Sequence, residues 1–130
     1  MSDTQAFVLD ASALLALFLK EPGGSVVEAA ADRALISAVN WSEVVQKLLA
    51  RAVDVVGLRE EVDELGIVIA SFTADDAEVS AVLGPSTRHL GLSLADRACL
   101  ALGRRLDVPV LTADRTWLGA ELGVEIRSIR

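Results

Sequence analysis

The chain has 130 residues, of which 52% are hydrophobic and only 4% aromatic, enough apolar mass for one core and too much for a disordered chain. Its 12 basic and 19 acidic residues leave a net charge of -7, the wrong sign for a protein that grips nucleic acid by a general basic surface. A single cysteine, Cys99, rules out an internal disulfide or a thiolate zinc site and fits a reducing compartment.

Residues 1–5 carry no basic leader, and the longest strictly apolar run, residues 13–19, falls far short of the roughly 20 residues that span a bilayer, so a cytoplasmic protein without a membrane segment is expected. Residues 6–9 are apolar on both faces, as a buried central parallel strand requires, and Asp10 ends them. Residues 12–19 read as a helix stopped by Pro22, Gly23 and Gly24, and a second helix is expected over residues 25–31. Residues 34–37 read as the next strand. Asn40 is then expected to cap a helix on which Val44, Val45, Leu48 and Ala52 recur at helical spacing.

A further helix is expected over residues 55–65 and a strand over residues 67–69. Thr73 caps a helix running to Leu83 before Gly84 and Pro85, with Asp75 and Asp76 suiting its first-turn dipole. Ser93 opens a helix to Leu106, residues 110–112 form the last buried strand, residues 114–118 a short helix, and residues 125–128 an edge strand. Short apolar runs alternating with helical patterns argue for a single α/β domain over residues 1–130, with helices on a mostly parallel sheet.

Four carboxylates fall at element junctions. Asp10 follows the first strand and Asp114 the last buried one, at the sheet edge where open α/β folds bind ligands. Glu43 and Asp96 each lie three residues after an expected capping side chain, Asn40 and Ser93. Capping and turn chemistry account for each acid taken singly, and Lys47 stands one turn after Glu43 as a surface partner. Asp96 instead shares its helix stripe with Cys99, Leu100 and Gly103, where an acid needs a partner. Gathered at one end of the sheet, the four would repel one another unless protonated or bridged by a hard divalent cation.

The order and local text of these acids resemble a known family. Residues 7–16 around Asp10, residues 40–44 around Glu43, residues 91–102 around Asp96 and residues 111–114 ending in Asp114 are similar to the PIN-domain ribonucleases, specifically VapC-type toxins. The resemblance spans essentially the whole chain. It implies a three-layer α/β/α domain with a sheet of four to five strands, and a quartet of Asp10, Glu43, Asp96 and Asp114 that holds Mg2+ or Mn2+ for endonucleolytic RNA cleavage. It implies Ser12, and similarly Thr112, as hydroxyls that bond a ligand or orient a carboxylate, beside the plain reading of Ser12 as a helix-capping hydroxyl, and it implies a VapB-like antitoxin as partner and a homodimer.

Arg97, beside Asp96, is expected first to pair with a neighbouring carboxylate and second to meet substrate phosphate. The charge is uneven: seven of the 12 basic residues, all Arg, lie between Arg88 and Arg130 with only five acids, so this third could face a phosphate chain. His89, Trp41, Trp117 and Cys99 are read as surface or packing residues.

Two rival functions remain at this point. A phosphoacceptor receiver domain would need paired acids after the first strand and a lysine after the last buried one, and neither is present. A catalytically inactive PIN fold that binds RNA or antitoxin would keep the architecture without the chemistry.

Overall fold

A computed structural model describes residues 5–130; Met1–Thr4, on which the expectation about a basic leader falls, lie outside the described residues. Five strands form one sheet: β1 (Phe7–Leu9), β2 (Ala34–Ser37), β3 (Val68–Ala70), β4 (Val110–Thr112) and β5 (Ile126–Ser128). Their order is β3-β2-β1-β4-β5, and every pairing is parallel, so the mostly parallel sheet of four to five strands is a fully parallel sheet of five.

The helices are α1 (Ala11–Phe18), α2 (Gly24–Ala30), α3 (Ala38–Ala50), α4 (Leu58–Leu65), α5 (Ala74–Ser86) and α6 (Leu94–Leu106). Successive side chains of β1 point to opposite faces and therefore into different layers. Leu9 joins Leu14, Ile36, Val44 and Val62 on the face covered by α1–α4, whereas Val8 joins Leu83, Leu100 and Val110 under α5 and α6. Both β1 residues are fully buried, which is why the central strand is apolar on both faces. None of the described helices is long and apolar enough to cross a membrane.

The chain leaves β1 towards β2 on one side and returns to β4 on the other, so the strand order reverses between β1 and β4. Such a switch point leaves a crevice beyond the strands' C-terminal ends, and both Asp10 and Asp114 follow strands that border it.

Several expected boundaries move for physical reasons. Helix α1 starts at Ala11 because Asp10, in extended conformation, accepts from the Ala13 N–H as its cap. Helix α2 starts at Gly24, where a side chain would collide with the Ala16 carbonyl: a Cβ there would lie 2.5 Å from that oxygen.

Helix α3 follows β2 without a loop, since the Ser37 hydroxyl accepts from the Val39 N–H; Asn40 is therefore not the cap, and Glu43 lies in the second turn. Helix α4 is shorter than expected because Gly57, at φ 80°, turns the chain immediately before it. Strand β3 covers Val68–Ala70 and the last strand starts at Ile126, each one residue later than expected.

Helix α5 runs through Gly84 and Pro85 to Ser86, with Pro85 forfeiting one bond of the ladder, and Thr87 closes it with hydrogen bonds from its amide and hydroxyl to Leu83 O. The expected short helix over residues 114–118 is a 3-10 turn, Arg115–Trp117.

Candidate functional site

Asp10 is only 4% exposed, and both oxygens of its carboxylate accept hydrogen bonds. Oδ1 accepts from Ser12 Oγ at 2.7 Å and from the Ala13 N–H at 2.9 Å, while Oδ2 accepts from Thr112 Oγ1 at 2.5 Å. The two hydroxyls are themselves aligned by backbone: Ser12 Oγ accepts from the Ala113 N–H and Thr112 Oγ1 from the Asp114 N–H, each at 2.9 Å. Asp10 is thus tied through both oxygens to the turn that leaves β4. Burial raises its pKa to about 6, outweighing the lowering by the Thr112, Ser12 and Ala13 hydrogen bonds, and the nearby Asp96 charge adds to the rise.

Asp96 is half-buried in the first turn of α6, where it closes a capping box with Ser93: the Asp96 N–H donates to Ser93 Oγ at 3.1 Å and the Ser93 N–H to Asp96 Oδ2 at 2.9 Å. Glu43, on α3, pairs with Lys47 through Oε2 at 3.0 Å, the surface partnership expected one helical turn apart. Cys99 is buried on α6, one helical turn after Asp96. Its thiol is pushed well above the ordinary range, first by burial and then by the charges of Asp10, Asp96 and Glu43, and its Sγ donates to the Asp96 carbonyl at 3.1 Å. Three of the four sequence-identified acids therefore act on one buried point.

Asp114 differs. It is exposed, and its Oδ1 accepts from the Thr116 amide at 2.9 Å and hydroxyl at 2.7 Å, capping the 3-10 turn. Among the described residues, no three acid, histidine or cysteine side chains are arranged as a ready metal cage.

Arg97 does not make the expected ion pair. Its guanidinium donates to the Ser80 carbonyl at 2.8 Å and to the Ser93 carbonyl at 3.3 Å, so it ties α6 to α5. The other C-terminal arginines are also largely engaged in structure. Arg105 forms a two-pronged bond to Asp76, Arg127 pairs with Glu125, Arg115 donates to the Arg130 carbonyl, and Arg130 to the Pro22 carbonyl. Lys47 and Arg51, with Arg130 and the acidic Glu21, border a groove of about 410 Å3 that opens beside Ser12. His89 is exposed, Trp117 is buried in the core beneath α6, and Trp41 packs against the core on the other face.

Asn40 is the residue whose place sequence reasoning missed. It is 1% exposed, and its Nδ2 donates to the Ala95 carbonyl at 2.9 Å, bridging α3 to the residue before Asp96. The available signal was Ser37, a second capping residue three positions earlier, directly at the end of an apolar run.

The comparisons agree with this architecture. No curated protein matches the chain. Among solved structures, the chain is similar to a toxin-antitoxin complex from Klebsiella pneumoniae, with a TM-score of 0.75 at 20% identity over 96% of this chain and 98% of the other. VapBC2 from Rickettsia felis bound to a DNA fragment from its promoter gives 0.71 at 12% identity, covering 95% and 98%. FitAcB from Neisseria gonorrhoeae gives 0.69 at 16% identity, covering 95% and 97%. The PIN domain family model matches residues 7–120, which leaves the receiver-domain reading without support. With its order-reversing parallel sheet and acids at the strand ends, the chain belongs to the PIN domain family.

Proposed function

We propose that this PIN-domain protein, as one domain over residues 1–130, is a divalent-metal-dependent endoribonuclease and the toxin of a toxin-antitoxin pair. The observation that carries the reading is Asp10: a buried carboxylate at the switch point, fixed by two hydroxyls, with no basic side chain among the described residues bonded to it and with the charge of Asp96 nearby. A group held that way lacks a counter-charge. An all-oxygen donor set fits a hard cation, Mg2+ or Mn2+, and Asp10, Glu43, Asp96 and Asp114 are the residues that would hold it.

Such an ion supplies a hydroxide-like nucleophile at neutral pH and neutralises charge developing on a phosphodiester. The chain's own part is orientation. Ser12 and Thr112 fix both oxygens of Asp10, the capping box fixes Asp96, and Lys47 would be free to meet the RNA backbone with Glu43 holding a cation. Lys47 and Arg51, along the groove beside Ser12, receive phosphates of the strand. Arg97 acts through structure rather than on the substrate.

The partner reading is a VapB-like antitoxin, supported by the similar structures being toxin-antitoxin complexes, together with a homodimer in a cytoplasmic setting as the family resemblance implies. A second reading, an inactive PIN fold that binds RNA or antitoxin, is favoured by one observation, the Asp114 carboxylate engaged by Thr116. Sequencing the 5′ ends of total RNA incubated with purified, antitoxin-free protein and Mn2+ or Mg2+ separates the two. New 5′-phosphate ends, absent with EDTA and with Asp96→Asn, are expected. A folded protein that yields none with either metal is the binding module.

A further inference from the structure

Asn40 is the one residue, among those described, with a buried side-chain polar atom that has no partner: its Oδ1 accepts nothing, although the residue is 1% exposed. An orphaned amide oxygen is unfavourable, and an apolar side chain of similar volume would fill the space between α3 and α6 without that penalty. Packing therefore does not explain an asparagine here. Capping does not explain it either, since Ser37 caps α3 and the Ser93–Asp96 box caps α6.

Its position does offer a reason. The Nδ2 bond to Ala95 spans 55 residues of sequence and joins α3, one turn before Glu43, to α6, immediately before Asp96. Glu43 and Asp96 stand on different helices, so the gap between their carboxylates depends on how those helices slide against each other. Metal coordination tolerates only about 0.2 Å of error in ligand distance.

Resting on the metal site of the proposed function, we propose that Asn40 is a positioning residue of that site: its donor sets the spacing of Glu43 and Asp96, and its spare oxygen is kept for the hydrated cation they hold. Aspartate at this position would add a like charge to three acids, and leucine would offer neither donor nor acceptor.

The test is calorimetric titration of Mn2+ into the metal-free wild type, Asn40→Leu, Asn40→Ala and Asp96→Asn, with the Tm of each. Asn40→Leu is expected to hold the Tm within a few degrees of the wild type, because removing the orphaned oxygen offsets the lost Nδ2 bond to Ala95, while its Mn2+ affinity falls about tenfold or more. If leucine prevents folding, Asn40→Ala decides by the same loss of affinity. A purely structural Asn40 would lower the Tm and leave the Kd unchanged, which overturns the inference. Binding that Asp96→Asn abolishes and neither Asn40 variant weakens overturns the inference alone. A wild type that binds no Mn2+ overturns the proposed function and this inference with it.

Discussion

Thr112 and Asp10 lie 102 residues apart in the chain, yet Thr112 Oγ1 donates to Asp10 Oδ2 across the boundary between β4 and β1. The same hydroxyl accepts from the Asp114 N–H, so one side chain passes the orientation of the β4 turn to the buried acid. Sheet pairing makes this possible: Leu9 is opposite Leu111, which brings the next residues of both strands to the same edge.

Replacing that hydroxyl tests the linkage. Thr112→Val keeps the shape but leaves Asp10 Oδ2 and the Asp114 amide each short of a partner, and Thr112 is fully buried. A loss of about 1–3 kcal/mol is expected in urea unfolding of the metal-free protein at pH 7.5. Unchanged stability would mean that the hydroxyl does not hold Asp10.

The raised pKa of Asp10 has a definite sign. The folded protein binds this proton more tightly than the unfolded chain, with a pKa of about 6 against 3.8. The associated stability is full below pH 3.8 and is lost as pH rises through 6. At pH 7.5 the ionised, buried carboxylate then disfavours the folded metal-free state by on the order of 3 kcal/mol. Asp10→Asn should therefore raise the Tm at pH 7.5, and the gain should shrink towards pH 4. Thermal melts across that range check it, and an equal loss of Tm at both ends would refute the burial argument.

Asp114→Asn separates capping from metal binding. Asparagine caps a turn about as well as aspartate, so the 3-10 turn and the Tm should be unchanged. The RNA cleavage rate at a fixed low Mn2+ concentration should nevertheless fall by about tenfold or more, with partial recovery as Mn2+ is raised. Wild-type cleavage by Asp114→Asn would remove this residue from the quartet.

Away from the site, Asp76 is buried at the start of α5. Burial alone would raise its pKa, but the Arg105 and Thr73 hydrogen bonds and the Arg105 charge together lower it. That stability is present above the ordinary carboxylate pKa and is lost as pH falls. Arg105→Ala leaves the carboxylate buried without its two-pronged partner. Since Arg105 is itself 39% exposed, a modest cost of about 1–2 kcal/mol is expected by denaturant unfolding, with metal affinity unchanged.

The periodic parts of this protein were legible in its residues. Phe7-Val8-Leu9, apolar on both faces, announces a central strand because only a strand covered on both sides tolerates that pattern. Ser93 with Asp96 announces the start of α6 because the capping box is a local, reciprocal hydrogen-bond pair. Asp10, Asp96 and Asp114 stand at element junctions, as expected, whereas Glu43 lies in the second turn of α3; the text around all four resembles that of the PIN family.

Tertiary structure decided what local chemistry leaves degenerate. Ser37 and Asn40 are both competent caps, and the choice falls to Ser37 because β2 pairs through residue 37, leaving Asn40 inside the helix and free to reach Ala95. Arg97 beside Asp96 invited an ion pair, but its direction from α6 carries it to the carbonyls of α5. Spacing along a chain gives the menu of partners within a turn or two; contacts spanning 55 or 102 residues exist only once the sheet and helices are packed, and those contacts orient the acids.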